Sequence, residues 1–348
     1  MRRTLSTRRK RRGALTLSPW LAWLLLITLA HAGVSLAESD APATGSAALR
    51  GKYESLRDQL DHSSFKMPLV LASRQTDGQL EGDLYGIVAF PFPMVSAALK
   101  VPGHWCELLM LHLNVKDCRS SESGARGSLA LYIGSKYNQP PETAFRLGYS
   151  YSVVSEANDY LQVDLAADTG PLGTRNYRIQ FEATPLGDRQ TILHLTYAYT
   201  YGIVARIAMQ TYLATAGRSK VGFTVVDRQP DGEPVYVAGV RGVLERNAMR
   251  YYLGIVAYLD SLTAPPKEQL EQRLRGWFAL TEQHARQLHE MTESDYLDMK
   301  RQEYRRAGLG ESASDSSIPS AIRLSFPGAI TRMSRVSALL PLRTYVVC

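Results

Sequence analysis

Five consecutive segments between residues 128 and 202 have the composition of β-strands, and this run limits the fold more than any other feature of the chain. Each segment is rich in β-branched or aromatic residues and is bounded by Gly, Pro, Asn or Asp, which favour turns. In two of them, apolar residues occupy every second position, so that one face of the strand lies against an apolar space. The run therefore predicts an antiparallel sheet. The segments are residues 128–137, 144–156, 159–168, 175–186 and 191–202.

The elements on either side of this run give the chain an α+β order. Residues 67–90 contain two strand-like runs around Asp77-Gly78, a strong signal for a hairpin turn. Residues 91–112 predict two short helices, which Pro102-Gly103 separates. Residues 241–262 predict a long helix whose wide apolar stripe packs against a sheet. Further predicted elements are a helix at 202–217 and strands at 220–226 and 234–240.

Two stretches resemble the START-related helix-grip superfamily, which includes lipid-transfer domains and polyketide cyclases. GDLYGIVAFPFPMVSAALKVPGHW (82–105) resembles the strand that leads into a helix with a P-x-x-V start in those proteins. VYVAGVRGVLERNAMRYYLGIVAYL (235–259) resembles their last strand and the long helix that follows it. The resemblance covers residues 67–262. It implies a curved antiparallel sheet wrapped around a long C-terminal helix, with an internal cavity between them. The helix at 202–217 is a departure, because simple members have none there.

If that cavity exists, residues from the sheet and from the long helix line it. Tyrosine suits such a position, because its ring offers apolar area and one hydroxyl group. The candidate lining residues are Tyr149, Tyr151, Tyr197, Tyr199, Met249, Tyr252 and Val256. Arg206 and Arg241 are candidates for contact with an anionic head group. The alternatives are ordinary core packing for the first set and surface ion pairs for the two arginines.

The N-terminus has the order of a secretory signal. Residues 1–12 carry seven basic side chains, an apolar run follows, and Ala37 ends a small-residue cleavage site. The formal net charge of the full chain is +7, so the part after residue 37 is close to neutral. This excludes a basic nucleic-acid-binding surface. We expect a periplasmic protein, with an uncleaved N-terminal membrane anchor as the alternative.

Cys106 and Cys118 are twelve residues apart in a chain that is expected to fold in an oxidising compartment. We predict a disulfide between them that joins a helix to a strand at the edge of the sheet. The alternatives are free thiols or a metal site with His104 and His112, although the spacing does not match the compact ligand pairs of zinc sites. No partner is evident for Cys348. No metal, cofactor or catalytic residue is assigned.

The sequence divides into five parts. A signal peptide (1–37) is followed by a linker and short helix (38–66), the helix-grip domain (67–262), amphipathic helices (263–307) and a tail that is expected to be disordered (308–348).

Three functions are compatible with this organisation. The first is periplasmic binding or carriage of a lipid or other hydrophobic small molecule in the cavity, with a membrane-associated transport protein as a further partner. The second is a cyclase or dehydratase in the same fold. Its candidate acid–base groups are His104, His112, His194, Glu156 and Glu182, for which a surface or hydrogen-bonded position is the alternative. The third is a non-catalytic interaction protein that docks a partner on its C-terminal helices. The sequence leaves the ligand and the oligomeric state open.

Overall fold

The predicted sheet is present and has eight antiparallel strands. The computed structural model describes residues 45–215 and 217–309. In this range the strands lie in the order β1-β2-β8-β7-β6-β5-β4-β3. Their bounds are β1 (Leu69–Thr76), β2 (Gln79–Val88), β3 (Val115–Ser123), β4 (Arg126–Ile133), β5 (Phe145–Ala157), β6 (Tyr160–Thr169), β7 (Arg175–Pro185) and β8 (Thr191–Thr200). The five-strand run of the sequence corresponds to β4 through β8, and β2 joins it by pairing with β8.

The two faces of the sheet belong to different cores, because side chains alternate along each strand. On β8, Leu195, Tyr197 and Tyr199 belong to the main core on the inner face. Ile192, one step out of phase, belongs to a smaller core on the outer face. Helix α1 (Ser46–Asp61) covers that outer face with Leu49, Leu56 and Leu60.

The long helix predicted at 241–262 packs on the inner face of the sheet. This helix, numbered α5 (Gly239–Ser261), approaches β2 closely, because β2 has glycine at inner positions. A Cβ atom on Gly82 would lie 3.5 Å from Leu244, and one on Gly86 would overlap the hydroxyl of Tyr252. The short helices α2 (Phe92–Leu99) and α3 (Pro102–Leu109) connect β2 to β3, each with a proline at its start. The chain therefore has the α+β helix-grip arrangement, a curved sheet wrapped around one long helix.

The segment between β8 and α5 differs from the prediction. Helix α4 (Ile203–Ala214) is present, but β9 (Val225–Arg228) and β10 (Pro234–Tyr236) form a separate two-stranded sheet. The predicted strands at 220–226 and 234–240 are therefore too long, and neither joins the main sheet. The reason is that Glu245 of α5 accepts hydrogen bonds from the backbone N–H groups of Phe223 and Thr224. These bonds hold the segment against the start of α5 and away from the edge of the sheet.

The C-terminal helices pack back on the domain. They are α6 (Gln269–Glu282), α7 (Ala285–Leu288) and α8 (Glu293–Ala307). The amphipathic segment is interrupted at His284, whose backbone leaves the helical region (φ −122°, ψ 42°), so that α6 and α7 are separate helices. Docking a partner on these helices requires apolar side chains on a free surface. Trp277, Leu288 and Tyr296 are instead buried in the main core, and Phe278 packs against it.

Three charged side chains anchor α8 in the interior. Lys116, Lys300 and Glu303 are fully buried. The Glu303 carboxylate accepts hydrogen bonds from Lys116 Nζ at 2.9 Å and from Lys300 Nζ at 2.7 Å. Lys300 Nζ also donates to the carbonyl oxygens of His112 and Val115. This lysine–glutamate–lysine cluster therefore connects α8 to the chain around the start of β3.

The predicted disulfide is confirmed in the structure. Cys106 of α3 and Cys118 of β3 are bonded, with their Cα atoms 5.3 Å apart. Because β3 is the last strand in the sheet order, the bond joins a helix to the sheet edge as predicted. His104 Nδ1 lies 2.7 Å from the Ala98 carbonyl oxygen. Because Cys106 and Cys118 form the disulfide, neither thiol is free to bind a metal ion.

The predicted signal segment, Cys348 and nearly all of the predicted tail lie outside the described residues. Among the residues that are described, no helix combines the length and the apolar character that are needed to cross a bilayer.

Candidate functional site

Five tyrosine rings fill the space between the sheet and α5, and we call them the inner tyrosine cluster. They are Tyr149 of β5, Tyr177 of β7, Tyr197 and Tyr199 of β8, and Tyr251 of α5. The Tyr177 and Tyr199 rings are stacked with their centroids 5.2 Å apart, and Tyr197 meets Tyr251 edge to face at 5.3 Å. All five side chains are buried. The strand alternation of β5, β7 and β8 directs four of these rings to the inner face.

Within the part of the chain that the structure describes, the Tyr197 hydroxyl of this cluster lacks the hydrogen bonds that a buried polar group normally makes. It is buried and has no hydrogen-bond partner among the described residues. Burial, together with the neighbouring tyrosines, raises the pKa of Tyr197 well above its ordinary value, so the group stays a neutral phenol. A buried hydroxyl without a partner loses the hydrogen bonds that it makes in water, at a cost of about 1–3 kcal/mol. Groups of this kind commonly meet a water molecule or a ligand.

A buried histidine extends the cluster towards α3. The His112 ring lies 5.2 Å from the Tyr251 ring, centroid to centroid. Burial, and then the positive charges of Arg250 and Lys300, hold the pKa of His112 well below its ordinary value. The imidazole is therefore neutral, and its Nδ1 accepts a hydrogen bond from the Asn114 backbone N–H at 3.1 Å.

Helix α4 covers one end of the interior, and few of its described side chains are buried. Ala205 and Met209 belong to the main core, whereas Ile203, Val204 and Ile207 are exposed. The helix contacts the turn Pro171–Gly173 and α5. An element that buries so little apolar area is among those that open at low cost.

The structure brings only some of the predicted lining residues together. Tyr149, Tyr197 and Tyr199 meet in the inner tyrosine cluster. Tyr151 lies apart from them, with its hydroxyl 3.4 Å from the Leu99 carbonyl oxygen, and Tyr252 rests on Gly86. Met249 is buried in the main core, and Val256 packs at its margin. In this structure, ordinary core packing accounts for the positions of Met249, Tyr252 and Val256.

The two predicted arginines do not point into the interior. Arg206 is exposed, and its guanidinium lies 5.7 Å from the centroid of the Tyr201 ring. Arg241 Nε donates to Ser73 Oγ at 2.7 Å and lies 3.7 Å from a carboxylate oxygen of Glu245. Arg241 therefore makes the ion-pair contact that was named as its alternative, whereas Arg206 lies on the surface.

The open cavity that the resemblance implied is filled by side chains in this structure. Pockets of about 330, 250 and 260 Å³ open on the surface of the described residues, and no predicted lining residue contributes to them. Tyrosine rings occupy the expected space, because β5, β7 and β8 each place them on the inner face. Among the described residues, no group of three or more His, Cys, Asp or Glu side chains could hold a metal ion.

A second polar cluster lies on the outer face, away from the interior. His194 Nδ1 is 2.7 Å from Glu182 Oε2, and His194 Nε2 is 3.0 Å from Asp83 Oδ1. The Tyr85 ring stacks on the imidazole with 4.1 Å between centroids. Tyr85 and His194 are direct partners across β2 and β8, and Glu182 is opposite His194 on β7. Thr196 also donates to Asp83 Oδ1 at 2.8 Å.

The three ionisable groups of this outer-face cluster stabilise one another's charges. Burial disfavours the imidazolium, but hydrogen bonds to Asp83 and Glu182 outweigh it and raise the pKa of His194. Burial also opposes ionisation of both carboxyl groups, yet hydrogen bonds from His194 hold the pKa of Asp83 and of Glu182 below their ordinary values. Because these partners satisfy both ring nitrogens, we interpret the cluster as an ion-pair network that holds three strands together.

We expect His194→Gln to destabilise the protein in a pH-dependent way. The raised pKa of His194 means that its contribution is complete below its ordinary value of 6.5 and is lost as the pH rises through the folded-state value. The lowered pKa values of Asp83 and Glu182 mean that their contribution is lost as the pH falls below about 4.5. The variant should therefore lose about 2 kcal/mol at about pH 5.5 and much less at about pH 9.

Urea unfolding of both proteins across this pH range measures the difference. His62→Gln is the matched control, because His62 lies on the exposed end of α1. A penalty for His194→Gln that stays constant from acidic to alkaline pH would contradict the network.

Comparison with known proteins gives matches at the level of structure alone. No known family matches the sequence, and no curated protein matches it. Human StAR-related lipid transfer protein 5 is similar over 49% of this chain and 87% of its own, at 13% identity and a TM-score of 0.28. The Zhui aromatase/cyclase from a Streptomyces species is similar over 63% and 95%, at 13% identity and a TM-score of 0.28. Truncated norcoclaurine synthase from Thalictrum flavum is similar over 42% and 89%, at 15% identity and a TM-score of 0.27.

TM-scores this low carry no argument about function. The fold is established by the molecule itself, since β2 pairs with β8, β8 to β3 follow in reverse chain order, and α5 lies across the inner face. This chain has the helix-grip fold. Within that fold, α4 and the β9–β10 hairpin are inserted between the last strand of the sheet and the long helix.

Two members of the cluster, Tyr177 and Tyr251, were not among the predicted lining residues. The signal for Tyr177 was present, because Tyr177, Ile179 and Phe181 alternate on β7 as the tyrosines do on β8. Tyr251 and Tyr252 are adjacent, and only the rotation of α5 about its axis decides which of them meets Tyr197.

Proposed function

We propose that this protein binds a hydrophobic small molecule or lipid that carries one hydrogen-bonding group, at the inner tyrosine cluster. The buried Tyr197 hydroxyl, which has no partner among the described residues, is the observation that carries the proposal. A ligand oxygen or nitrogen would satisfy it, and the surrounding rings would cover the apolar part of the ligand. Apolar transfer from water contributes roughly 25 cal/mol per Å².

Binding requires a change from the filled form. We propose that α4 moves away from the end of the interior and that the rings rearrange to admit the ligand. The small number of buried side chains supports this, because Ala205 and Met209 are the only ones in the main core among the described side chains of α4. We further propose that the protein acts in the periplasm as a carrier, after removal of the basic and apolar N-terminal segment.

A cyclase or dehydratase activity is the second candidate function, and His112 is the observation that favours it. Its neutral imidazole lies beside Tyr251 at the edge of the same cluster. A neutral imidazole in contact with a bound substrate could accept a proton. Binding comes first in our proposal, since a carrier needs no catalytic group and the inner tyrosine cluster consists of phenol side chains.

We expect Tyr197→Phe to weaken ligand binding by about tenfold, because one hydrogen bond to the ligand contributes about 1–1.5 kcal/mol. The ligand is identified first, by native mass spectrometry of the protein purified from its own host. Its affinity for the wild type and the variant is then measured by titration. Tyr132→Phe is the matched control, since Tyr132 lies between the buried Leu131 and Ile133 on the opposite face of β4.

Either of two results would overturn the proposal. One is a protein that is purified without any bound small molecule and takes none up from a lipid extract. The other is a bound molecule whose affinity Tyr197→Phe and Tyr132→Phe change equally.

A further inference from the structure

Helix α4 presents an apolar face to solvent. Ile203 is 76% exposed, Val204 65% and Ile207 57%. These three side chains lie within two turns of one helix, on the side opposite Ala205 and Met209, which are buried. Contiguous exposed apolar residues of this size mark a surface that contacts another apolar phase or molecule.

The charged residues that flank this helix along the chain are positive. Residues 189–226 contain Arg189, Arg206, Arg218 and Lys220 and no Asp or Glu. Arg206 lies on α4 itself and is exposed, as is Arg218 beyond its end. The acidic residues of the inserted segment lie in the β9–β10 hairpin, at Asp227, Asp231 and Glu233. A helix with apolar side chains and flanking arginines, and without acids, has the composition of an interfacial membrane-binding helix.

The position of α4 leaves this face accessible. The helix follows β8 directly and rests on the turn Pro171–Gly173 and on α5 through its opposite side. It therefore lies at the end of the sheet where β8 stops and α5 begins.

We propose that α4 docks on an anionic phospholipid membrane. Ile203, Val204 and Ile207 would enter the boundary between head groups and acyl chains, where their burial is favourable. Arg206 and Arg218 would remain at the level of the phosphate groups, since an arginine stem can extend along apolar surface while its guanidinium stays in a polar layer. The complementary charge selects an anionic membrane as the occupant of this face. The proposal does not rest on ligand binding at the inner tyrosine cluster.

Hydrogen exchange of the full chain, followed by mass spectrometry, tests the proposal directly. It reports on α4 separately from any contact that the N-terminal segment makes. The probes are vesicles of phosphatidylethanolamine with phosphatidylglycerol, and matched vesicles in which phosphatidylcholine replaces phosphatidylglycerol. We expect the anionic vesicles to slow amide exchange in peptides that span 203–215, and the neutral vesicles to leave it unchanged.

Three variants separate the contributions to this protection. Ile203→Ser with Ile207→Ser should abolish it by removing the apolar contact. Arg206→Glu with Arg218→Glu should abolish it by reversing the charge. Val226→Ser is the control, because Val226 is also an exposed apolar residue but lies on β9. It should leave the protection unchanged.

The proposal is overturned if exchange in 203–215 is the same with and without anionic vesicles, or if both vesicle types slow it equally. It is also overturned if Ile203→Ser with Ile207→Ser leaves the protection by anionic vesicles unchanged. Ligand affinity of the Ile203→Ser/Ile207→Ser variant in solution, without vesicles, shows separately whether the inner tyrosine cluster still binds its ligand.

Discussion

Replacing Glu303 with Gln should destabilise the protein by about 3–5 kcal/mol, the largest effect that we expect from a single substitution. Glu303 is fully buried, and each of its carboxylate oxygens accepts a hydrogen bond from a fully buried lysine, Lys116 or Lys300. An amide keeps one acceptor oxygen but turns its NH₂ group towards the second ammonium. Two positive charges would then remain in the interior with no negative charge between them.

Chemical denaturation followed by far-ultraviolet circular dichroism measures this loss. Glu293→Gln is the matched control on the same helix, because Glu293 makes an exposed ion pair with Arg275. It should change the free energy of unfolding by less than about 1 kcal/mol. Equal effects of the two substitutions would show that the cluster has no special role.

A triple replacement separates charge from packing. Lys116→Met, Lys300→Met and Glu303→Leu together remove all three charges and keep apolar volume in their place. We expect this variant to be close to the wild type in stability, or more stable, since a buried ion cluster gains little over a hydrophobic one. If it is as unstable as Glu303→Gln alone, the loss would come from packing and not from uncompensated charge.

Removing the disulfide should cost about 3 kcal/mol, the second largest effect, because the bond closes a loop of twelve residues. The double variant Cys106→Ala with Cys118→Ala is compared with the wild type by denaturant unfolding. Reduction of the wild type should give the same loss, and reductant should not change the double variant further. Mass mapping without reduction should find one peptide that links the two cysteines. Alkylation of both thiols without prior reduction would contradict the bond.

The sheet and the long helix were predictable, because both are encoded by local periodicity. Alternation on β5 and β8 marks the buried face without any knowledge of the partner strands. The apolar stripe of α5 and the position of Cys106 and Cys118 on neighbouring elements are similarly local. The sequence therefore contained the fold class, the disulfide and three members of the inner tyrosine cluster.

The polar clusters were not predictable, because they depend on register between distant strands. His194 meets Asp83 only because β8 pairs with β2, and 111 residues separate the two side chains. Lys116 and Glu303 are 187 residues apart. Lysine and glutamate are rarely buried unless they are paired, and a single sequence does not show the pairs. The prediction from sequence is therefore that such residues are exposed.

The filling of the interior by tyrosine rings was also not predictable, because it too depends on contacts between distant elements. Periodicity shows that a tyrosine faces inward, but it does not show whether the rings meet or leave a space between them. That depends on how closely α5 approaches the sheet, and the glycines of β2 allow a close approach. The predicted strands at 220–226 and 234–240 failed for another long-range reason, the hydrogen bonds from Phe223 and Thr224 to Glu245.

A crystal structure of the protein with its co-purified ligand tests the account most directly. We expect the ligand to lie between β8 and α5, with a polar atom within hydrogen-bonding distance of the Tyr197 hydroxyl and with α4 displaced from its position over Ala205 and Met209. A ligand in one of the surface pockets, above an inner tyrosine cluster that stays packed as it is here, would contradict the proposed site.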